Sequence, residues 1–407
     1  MPNEEKSSSS FSFNKGSLLP QEEMLEVGKK QMQLTIGIPR ESHEHESRVA
    51  LTPEAVEILV NNGHQILIES NAGKGANYSD SDYSECGGFI IDKKKEILKC
   101  DIILKVAPFN EEEIDLLKGQ QVIITSLDIT TQKEEYIRKL MNKKVTALAF
   151  ETIRDQNNAY PVTSSMSEIV GNTSVLIAAE YLSNVNEGKG VMLGGISGIT
   201  PTEVIILGAG TAAEFAVRAA KGLGAFVKVI DNSVHKLRRL QTNLGFRLHT
   251  SVFHPQVLEK ALKSADVLIA AMYLPENGPR FFVTEDMVKG MKKGAVIVDI
   301  SIDQGGCIET SERRNHKNPV FTKHGVIHYC VPNIAARVAR TASIAISNVF
   351  APILLETGEY GGIKQKLKDD IGLRNGVYIY NGILTNSYIG NYFGIPSKDI
   401  DLLIAAF

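Results

Sequence analysis

Short apolar runs alternate with helix-like segments along most of the chain after residue 33. In the first half these runs predict strands at Leu34–Pro39, Gln65–Ile68, Asp101–Val106, Val122–Leu127 and Val145–Phe150. Between the first two, Thr52-Pro53-Glu54 provides an N-cap, a proline and an acidic first turn, which predict a helix ending near Gly63. Apolar strands that alternate with helices indicate parallel sheets covered on both faces.

A second alternating unit follows, and two long helical segments flank it. Its predicted strands are Glu203–Leu207, Phe226–Ile230, Val267–Ala271, Ala295–Ile300 and Val326–Tyr329. The flanking segments, Ser165–Asn184 and Thr341–Thr357, are long and rich in small and apolar residues. They are typical of two chain crossings between domains, so we expect the second unit to be inserted in the first.

The predicted fold class is therefore α/β, with two Rossmann-like, doubly wound domains joined by two long helices. A substrate domain comprises residues 34–162 and 341–407, and a nucleotide-binding domain comprises residues 163–340. Residues 1–33 carry a serine run and many charges, which predict a flexible tail with one short helix near Glu22–Lys30. The cleft between the domains is the expected ligand site.

The second unit opens with a glycine-rich turn that points to a dinucleotide. Its strand leads into Gly208-Ala209-Gly210-Thr211-Ala212-Ala213 and then a helix, which matches the G-x-G-x-x-A fingerprint. The next strand ends at Asp231, where a carboxylate can accept both ribose hydroxyls. Asp231 would repel a 2′-phosphate, so NAD is the predicted cofactor, although Lys236 and Arg238 keep NADP open.

The amino-acid composition excludes several classes of protein. The chain has 407 residues with 44 Lys and Arg against 47 Asp and Glu, a balance without the basic footprint of a nucleic-acid or membrane-surface protein. The four cysteines are widely spaced, which predicts reduced thiols and no metal cluster. With neither a membrane-length apolar run nor a signal peptide, we expect a cytoplasmic protein. The 34 glycines fit repeated tight turns between strands and helices.

Several longer motifs resemble the alanine dehydrogenase/nicotinamide nucleotide transhydrogenase family in order and in spacing. They cover nearly everything after residue 34 and include IGIPRESHEHESRVALTPEAV, NAGKGANYSDSDY, CDIILKV, SSMSEIVG, VMLGGISGITPTEVIILGAGTA, VIVDISIDQGG and YCVPNIAARVARTAS. SSMSEIVG and DISIDQGG are closer to the alanine dehydrogenase branch. The resemblance implies a two-domain α/β enzyme that oxidatively deaminates L-alanine to pyruvate with NAD, and a homo-oligomer, either dimer or hexamer.

The resemblance also implies roles for individual residues. Arg48 would hold the substrate carboxylate, and a guanidinium suits this because it stays charged and binds bidentately. Lys105 would contact the oxo-acid end and transfer a proton, and Asp303 would be catalytic, with Asp299 as the rival carboxylate. Asn333 would contact substrate and cofactor. Further cofactor contacts carried over are Ser167, Asp231, Lys236, Met272, Tyr273, Ile300 and Asp303, beside the glycine-rich turn.

The chain departs from the family at two places in the substrate site. Asp128 stands where the family has a catalytic histidine, and KVAPFNEEE replaces a loop with a second lysine followed by Glu-Pro. An aspartate could act as acid or base only if burial or a nearby carboxylate raised its pKa. Lys105 could otherwise transfer the proton alone, or His43 or His45 could substitute for the histidine in space.

Three functions remain open on these grounds. The first is an NAD-dependent amino-acid dehydrogenase acting on small molecules, L-alanine, pyruvate and ammonia. The second is a hydride-transfer subunit of the transhydrogenase type, which needs an NADP-binding partner and a membrane proton channel. The third is an NAD-binding protein that acts on another 2-oxo acid, or on none, because of Asp128.

Overall fold

Two twisted β-sheets, each covered by helices on both faces, make up the fold. The computed structural model describes residues 32–272 and 281–406. The strands are β1 Thr35–Ile38, β2 Gln65–Glu69, β3 Phe89–Ile91, β4 Ile102–Leu104, β5 Val122–Thr125, β6 Thr146–Ala149, β7 Glu203–Leu207, β8 Phe226–Asp231, β9 His249–Val252, β10 Val267–Ala270, β11 Val296–Asp299, β12 Val320–Lys323, β13 Val326–Tyr329, β14 Val377–Tyr380 and β15 Ile383–Leu384. The predicted helix near Glu22–Lys30 lies outside the described residues.

The helices fill the intervals between strands. They are α1 Pro53–Asn61, α2 Asp80–Glu85, α3 Lys94–Ile97, α4 Glu111–Leu116, α5 Glu134–Asn142, α6 Pro161–Leu182, α7 Thr211–Gly222, α8 Val234–Leu244, α9 Pro255–Ser264, α10 Glu285–Lys289, α11 Ala339–Glu359, α12 Ile363–Asp369, α13 Ile371–Arg374, α14 Ser387–Phe393 and α15 Ile400–Ala406. The two long helices expected between the units are α6 and α11.

The strand orders confirm the predicted fold class. The first sheet has the order β15-β14-β6-β5-β4-β1-β2-β3, and the second β12-β13-β11-β10-β7-β8-β9. Strands β1 to β6 pair in parallel, as do β7 to β11 and β13. The first sheet thus combines strands from both ends of the sequence, and the second sheet forms from the segment between them.

Both sheets are mixed rather than purely parallel, which differs from the expectation. Strand β14 runs antiparallel to β6, and β12 and β15 each close an antiparallel hairpin at an edge. Each hairpin turns through two residues with positive φ, His324-Gly325 and Asn381-Gly382. This is the backbone that a two-residue type I′ turn requires. Strands β3 and β9 were not predicted from the sequence, because they are short and their side chains are half-exposed.

Burial on both faces explains the continuous apolar runs. In β7, Val204 and Ile206 pack into one core cluster, and Ile205 and Leu207 pack into another on the opposite face. All four side chains are fully buried. Because both faces are covered, the strand shows no alternation of polar and apolar residues.

Helix α11 is long and apolar enough to cross a membrane by length and composition. Within this structure it is instead a core helix, since Ile346, Phe350 and Leu354 are buried in the core of the first sheet. At the other crossing, α6 approaches α7 closely. A Cβ on Gly171 would lie 2.2 Å from the carbonyl oxygen of Ala212, so only glycine fits there.

Candidate active site

The loops that follow the parallel strands of both sheets meet at one cleft. The carboxyl ends of parallel strands share one edge of a sheet, and ligands of open α/β folds bind at that edge. A cavity of about 430 Å³ lies there. Its walls include Arg48 and Asp128 from the first sheet and Asp303, Arg313 and Asn333 from the second. The cleft expected between the domains is therefore a formed cavity with charged groups on both sides.

Asn333 links the two sides of this cavity. Its backbone adopts the left-handed conformation, with φ of 58°. In this geometry its peptide N–H donates to Oδ1 of Asp303 at 3.2 Å, while its side-chain Nδ2 donates to Oε2 of Glu46 at 2.8 Å. A residue of the half that contains the second sheet thus positions groups on both walls.

Arg48 is held in a bidentate ion pair with Glu46. Its Nε donates to Oε1 at 2.8 Å and its Nη2 to Oε2 at 2.6 Å, and its side chain is 12% exposed. Burial opposes the charge, but Glu46 outweighs it and raises the pKa of Arg48 above its ordinary value. One edge of the guanidinium is thus used by Glu46, and Nη1 donates only to the sulfur of Met166 at 3.5 Å, a weak acceptor that a carboxylate could displace.

The chain segment that carries Arg48 is anchored on helix α11. The peptide N–H groups of Val49 and Thr52 donate to the hydroxyls of Ser343 and Ser347 at 2.9 and 3.1 Å. Serine is small enough to bring the segment close to the helix, and each hydroxyl satisfies a buried donor. The inter-domain helix therefore fixes the position of the cavity arginine.

Asp303 has an unusual acidity for a carboxyl group. It keeps contact with solvent at the mouth of the cleft, yet loss of hydration against the surrounding walls raises its pKa to about 6. The charge of Asp128 adds to the rise, while the Asn333 N–H, Arg313 and Arg48 oppose it. Asp303 therefore changes protonation close to neutral pH, which suits an acid–base group.

The rival carboxylate, Asp299, occupies a different environment. It is fully buried at the end of β11 and accepts a hydrogen bond from the hydroxyl of Ser311 at 2.7 Å. Burial raises its pKa to about 6 as well. Because Asp299 is enclosed and does not line the cavity, it braces the loop that holds Asp303.

Asp128, the residue in the histidine's place, does line the cavity. It has a left-handed backbone with φ of 44°, and its side chain is exposed and accepts from the hydroxyl of Thr130 at 3.0 Å. The neighbouring peptide N–H of Leu127 donates to Glu151 at 2.7 Å, which holds this turn. Asp128 and Asp303 thus interact electrostatically, one from each half of the protein.

Lys105, the residue expected to contact substrate, lies just after β4 and two residues before the cavity residue Ala107. Its side chain is 0% exposed, and Nζ lies 3.2 Å from Glu41 and 3.4 Å from Glu113. Nζ also donates to the carbonyl of Pro108 at 3.0 Å. The following residues, Ala107 and Pro108, line the cavity instead. A strand end places a lysine near the cleft, but two buried glutamates turn this ammonium inward.

Glu41 gives this buried pair a positioning role. Its carboxylate accepts from the peptide N–H groups of Val106 and Ala107 at 2.6 and 3.2 Å. Burial raises the pKa of Glu41, whereas the cation of Lys105 favours its charged form. Lys105 and Glu41 therefore join the loop after β4 to the loop after β1, which also carries Arg48.

The glycine-rich turn has the shape that a dinucleotide needs. Gly208 has φ of 99°, and a Cβ there would lie 2.3 Å from the carbonyl of Ala271. A Cβ on Gly210 would meet nothing within 4 Å, so the backbone is open where a pyrophosphate would approach the first turn of α7. These observations fit a bound dinucleotide.

Asp231 lies beside this turn and is largely buried. Its Oδ2 accepts from the peptide N–H of Ala209 at 2.8 Å, and its Oδ1 accepts from that of Ser233 at 2.7 Å. The carboxylate therefore joins the glycine-rich turn to the start of α8. Each oxygen keeps a further lone pair with which to accept from a ribose hydroxyl.

The other predicted cofactor contacts are distributed around the same edge. Ser167 and Ile300 are half-buried, and Lys236 is exposed on the first turn of α8. Met272 is buried, and its peptide N–H donates a hydrogen bond to the hydroxyl of Ser301 at 3.1 Å. Tyr273 lies outside the described residues. Two cavity residues were not predicted from the sequence. Glu46 lies two residues before Arg48, which was a usable signal, whereas Arg313 belongs to no motif.

Two family models match the chain in consecutive parts. The model described as "Alanine dehydrogenase/PNT, N-terminal domain" matches residues 37–170, and "Alanine dehydrogenase/PNT, C-terminal domain" matches residues 174–387. Together these matches cover most of the chain.

Curated relatives and solved structures agree with the family models. An alanine dehydrogenase from Staphylococcus saprophyticus is 37% identical over 90% of this chain and 99% of the relative, and alanine dehydrogenase 2 from Staphylococcus aureus is 36% identical over the same shares. A solved L-alanine dehydrogenase superposes with a TM-score of 0.83 at 34% identity, covering 89% of this chain and 99% of that one. A transhydrogenase from Sinorhizobium meliloti, at 24% identity and a TM-score of 0.74, shares the fold.

Proposed function

Because the chain belongs to the alanine dehydrogenase/PNT family, we propose that it catalyses the NAD-dependent, reversible oxidative deamination of L-alanine to pyruvate and ammonia. The observation that carries the proposal is the linked set Asp303–Asn333–Glu46–Arg48. It places a carboxylate-binding arginine and a near-neutral acid in one cavity, at the edge of the sheet that carries the glycine-rich turn.

The cofactor would be held by the nucleotide-binding half. The N–H groups of the turn Gly208–Thr211 would receive the pyrophosphate, and Asp231 would accept the ribose hydroxyls. A 2′-phosphate would meet the carboxylate of Asp231, which supports NAD over NADP. When bound, the nicotinamide supplies the hydride acceptor for amine oxidation and the donor for the reverse direction.

Arg48 would bind the substrate carboxylate. The ion pair with Glu46 and the anchors on α11 fix its guanidinium before substrate arrives, which lowers the entropic cost of orienting the bound molecule. Lys105 would act through the loops that it joins rather than by touching substrate.

Asp303 would act as the general base that accepts a proton from the attacking water. Deamination consumes a water molecule and releases ammonium, a hydride to the cofactor and one further proton. With a pKa of about 6, Asp303 is mostly ionised at neutral pH and can accept a proton from the attacking water. The charge of Asp128 stabilises the protonated form of Asp303, so this aspartate supports the acid–base step without itself being a histidine.

The test is a direct assay of the purified protein with NADH, pyruvate and ammonium. Consumption of NADH with formation of L-alanine is the expected result. NADH binding without consumption would contradict the proposal and support the second candidate, a nucleotide-binding protein that does not deaminate alanine. The inward-facing Lys105 and the aspartate at 128 favour that second candidate.

Two further features are proposals of the same kind. We place the protein in the cytoplasm, where L-alanine, pyruvate and ammonia would be its small-molecule partners. We also propose a homo-oligomer. Sedimentation velocity of the full chain distinguishes a monomer from a dimer or hexamer, and a monomer at assay concentration would contradict the oligomer.

A further inference from the structure

Arg313 is a cavity cation that the proposed reaction does not use. It lines the same cavity as Arg48 and Asp303, and its charge lowers the pKa of Asp303. Within residues 32–272 and 281–406, no hydrogen bond, ion pair or ring contact engages its side chain. The other two cavity arginines are both engaged, Arg48 by Glu46 and Arg314 by Glu312 at 2.9 Å.

The chain around Arg313 is held in place. The peptide N–H of Arg314 donates to the carbonyl of Cys330 at 2.8 Å, and its guanidinium stacks over Phe321 with 4.7 Å to the ring centroid. Arg313 and Arg314 both line the cavity, but the guanidinium of Arg314 is held against Phe321 and Glu312. The loop therefore presents Arg313 toward the cleft.

The loop after Arg313 is fixed as well. The side chain of Asn315 accepts from the N–H groups of Lys317 and Asn318, each at 3.0 Å. His316 contacts the carbonyl of Asn333 at 3.2 Å through Nε2. Because the backbone of this loop is fixed, binding of an anion would order the Arg313 side chain but not the loop.

The cavity has room for more than an alanine side chain. Ala107 contributes only a methyl group to the wall, and the volume of about 430 Å³, which lies in the range of pockets for organic ligands, would be shared by the nicotinamide ring and the substrate. Asp128 and Asp303 repel an anion, whereas the positive charge of Arg313 offsets that of Asp303 on the wall that the two share. A second negative group on a substrate would therefore be received at Arg313.

We propose that Arg313 forms a second carboxylate site, so that the enzyme acts on 2-oxo dicarboxylic acids and the corresponding acidic amino acids as well as on alanine. Arg48 binds the carboxylate next to the oxo group, and Arg313 binds the distal one. The inference rests on the proposed amino-acid dehydrogenase reaction. The step itself is unchanged: the oxo acid, ammonium, NADH and a proton give the amino acid, NAD and water.

The test compares substrates of equal length that differ in the distal charge. The wild-type protein should reduce 2-oxoglutarate with a higher kcat/KM than 2-oxopentanoate. In Arg313→Gln, the ratio of these two values should fall about 10- to 100-fold, as expected for the loss of a charge-assisted hydrogen bond. Arg313→Lys should retain part of the ratio, because the charge remains and the bidentate geometry is lost.

Arg247→Gln is the matched control. Arg247 is an exposed arginine in the loop before β9, at the opposite edge of the parallel sheet from the cavity. Its replacement should leave the ratio within about twofold, since it removes an equal charge at a distance that salt screens. A wild-type ratio near unity, or an equal fall in both variants, would overturn the second carboxylate site.

A binding measurement separates this inference from the proposed function. If neither pyruvate nor 2-oxoglutarate is turned over, the dehydrogenase proposal fails, and calorimetric titration of the NADH-loaded protein with 2-oxoglutarate then decides about Arg313. Binding that Arg313→Gln weakens at least tenfold supports the site. No binding to the wild type, or equal binding to both proteins, overturns it.

Discussion

Asn333 and Glu46 are hydrogen-bonded across the cleft at 2.8 Å, although 287 positions separate them in the chain. Glu46 in turn holds Arg48, and the backbone of Asn333 holds Asp303. The position of the two halves of the protein relative to each other therefore decides how Arg48 and Asp303 face each other.

Removal of the Asn333 side chain should uncouple the two walls. Asn333→Gly keeps the left-handed backbone and the N–H to Asp303 but deletes the bond to Glu46. A hydrogen bond to a charged partner contributes about 1.5–3 kcal/mol, so we expect kcat/KM for pyruvate to fall about 10- to 100-fold. Steady-state kinetics with NADH and ammonium measure this. An unchanged kcat/KM would show that the bridge has no role in catalysis.

Replacement of Asp303 should remove an ionisation from the pH profile. The carboxyl is protonated below its pKa of about 6, so the rate of deamination should rise with pH through this value and then level off. Asp303→Asn should flatten this limb and lower kcat by about 100- to 10,000-fold. A limb that persists in the variant would assign the ionisation to another group.

Asp128, on the opposite wall of the cavity, should raise the pKa of Asp303. Its negative charge favours the protonated form of Asp303, so Asp128→Asn should lower the pKa of Asp303 and shift the acid limb toward lower pH. Asp128→His, which introduces the family residue, should shift it in the same direction. Profiles of kcat/KM for the three proteins test this, and coincident limbs would contradict the interaction.

The buried carboxyl of Asp299 should make stability depend on pH. Its pKa is about 6 in the folded state and about 4 in an unfolded chain, so the folded protein is favoured at low pH and loses this contribution as pH rises through about 6. Asp299→Asn should therefore be more stable than the wild type at pH 8, by about 2–3 kcal/mol, with little difference at pH 4. Thermal unfolding at both pH values measures the two differences. A destabilised variant at pH 8 would show that the hydrogen bond from Ser311 outweighs the charge.

Lys105 should matter for stability as well as for activity. Lys105→Met leaves Glu41 buried without its cation and leaves Glu113 with Lys94 alone, and the loss of one partner of a buried ion pair costs about 3–5 kcal/mol. We expect a lower Tm together with lower activity, and a partial recovery of Tm when Glu41→Gln is added. Lys99→Met, at an exposed lysine, is the control. Loss of activity at an unchanged Tm would instead indicate direct contact with substrate.

Local sequence patterns were sufficient to predict the parallel strands at the centre of each sheet, but they did not predict the strands at the edges. Buried strands such as β7 are continuous apolar runs, because each residue packs against a helix on one face or the other. The hairpin between β14 and β15 was predictable in principle from Asn381-Gly382, a strong two-residue turn signal. It was missed because its strands are short and because β14 pairs with β6, which lies far away in sequence.

In the candidate site, too, some features follow from neighbouring residues in the sequence and others depend on residues that are distant in the sequence. The glycine-rich turn is a contiguous motif, so its shape follows from its own residues. The orientation of Lys105 depends instead on Glu41, 64 positions earlier, and on Glu113, and no local pattern encodes that arrangement. The acidity of Asp303 likewise depends on walls contributed by both halves of the protein.

The two hydrogen bonds to Asp231 couple cofactor preference to the architecture of the nucleotide site. A designer who wished to convert the protein to NADP would replace this carboxylate to admit a 2′-phosphate. The same change would release the N–H groups of Ala209 and Ser233 and so loosen the phosphate turn and the start of α8. A successful conversion therefore needs a second substitution that supplies new acceptors for these two groups, and a single exchange of charge will cost affinity for both cofactors.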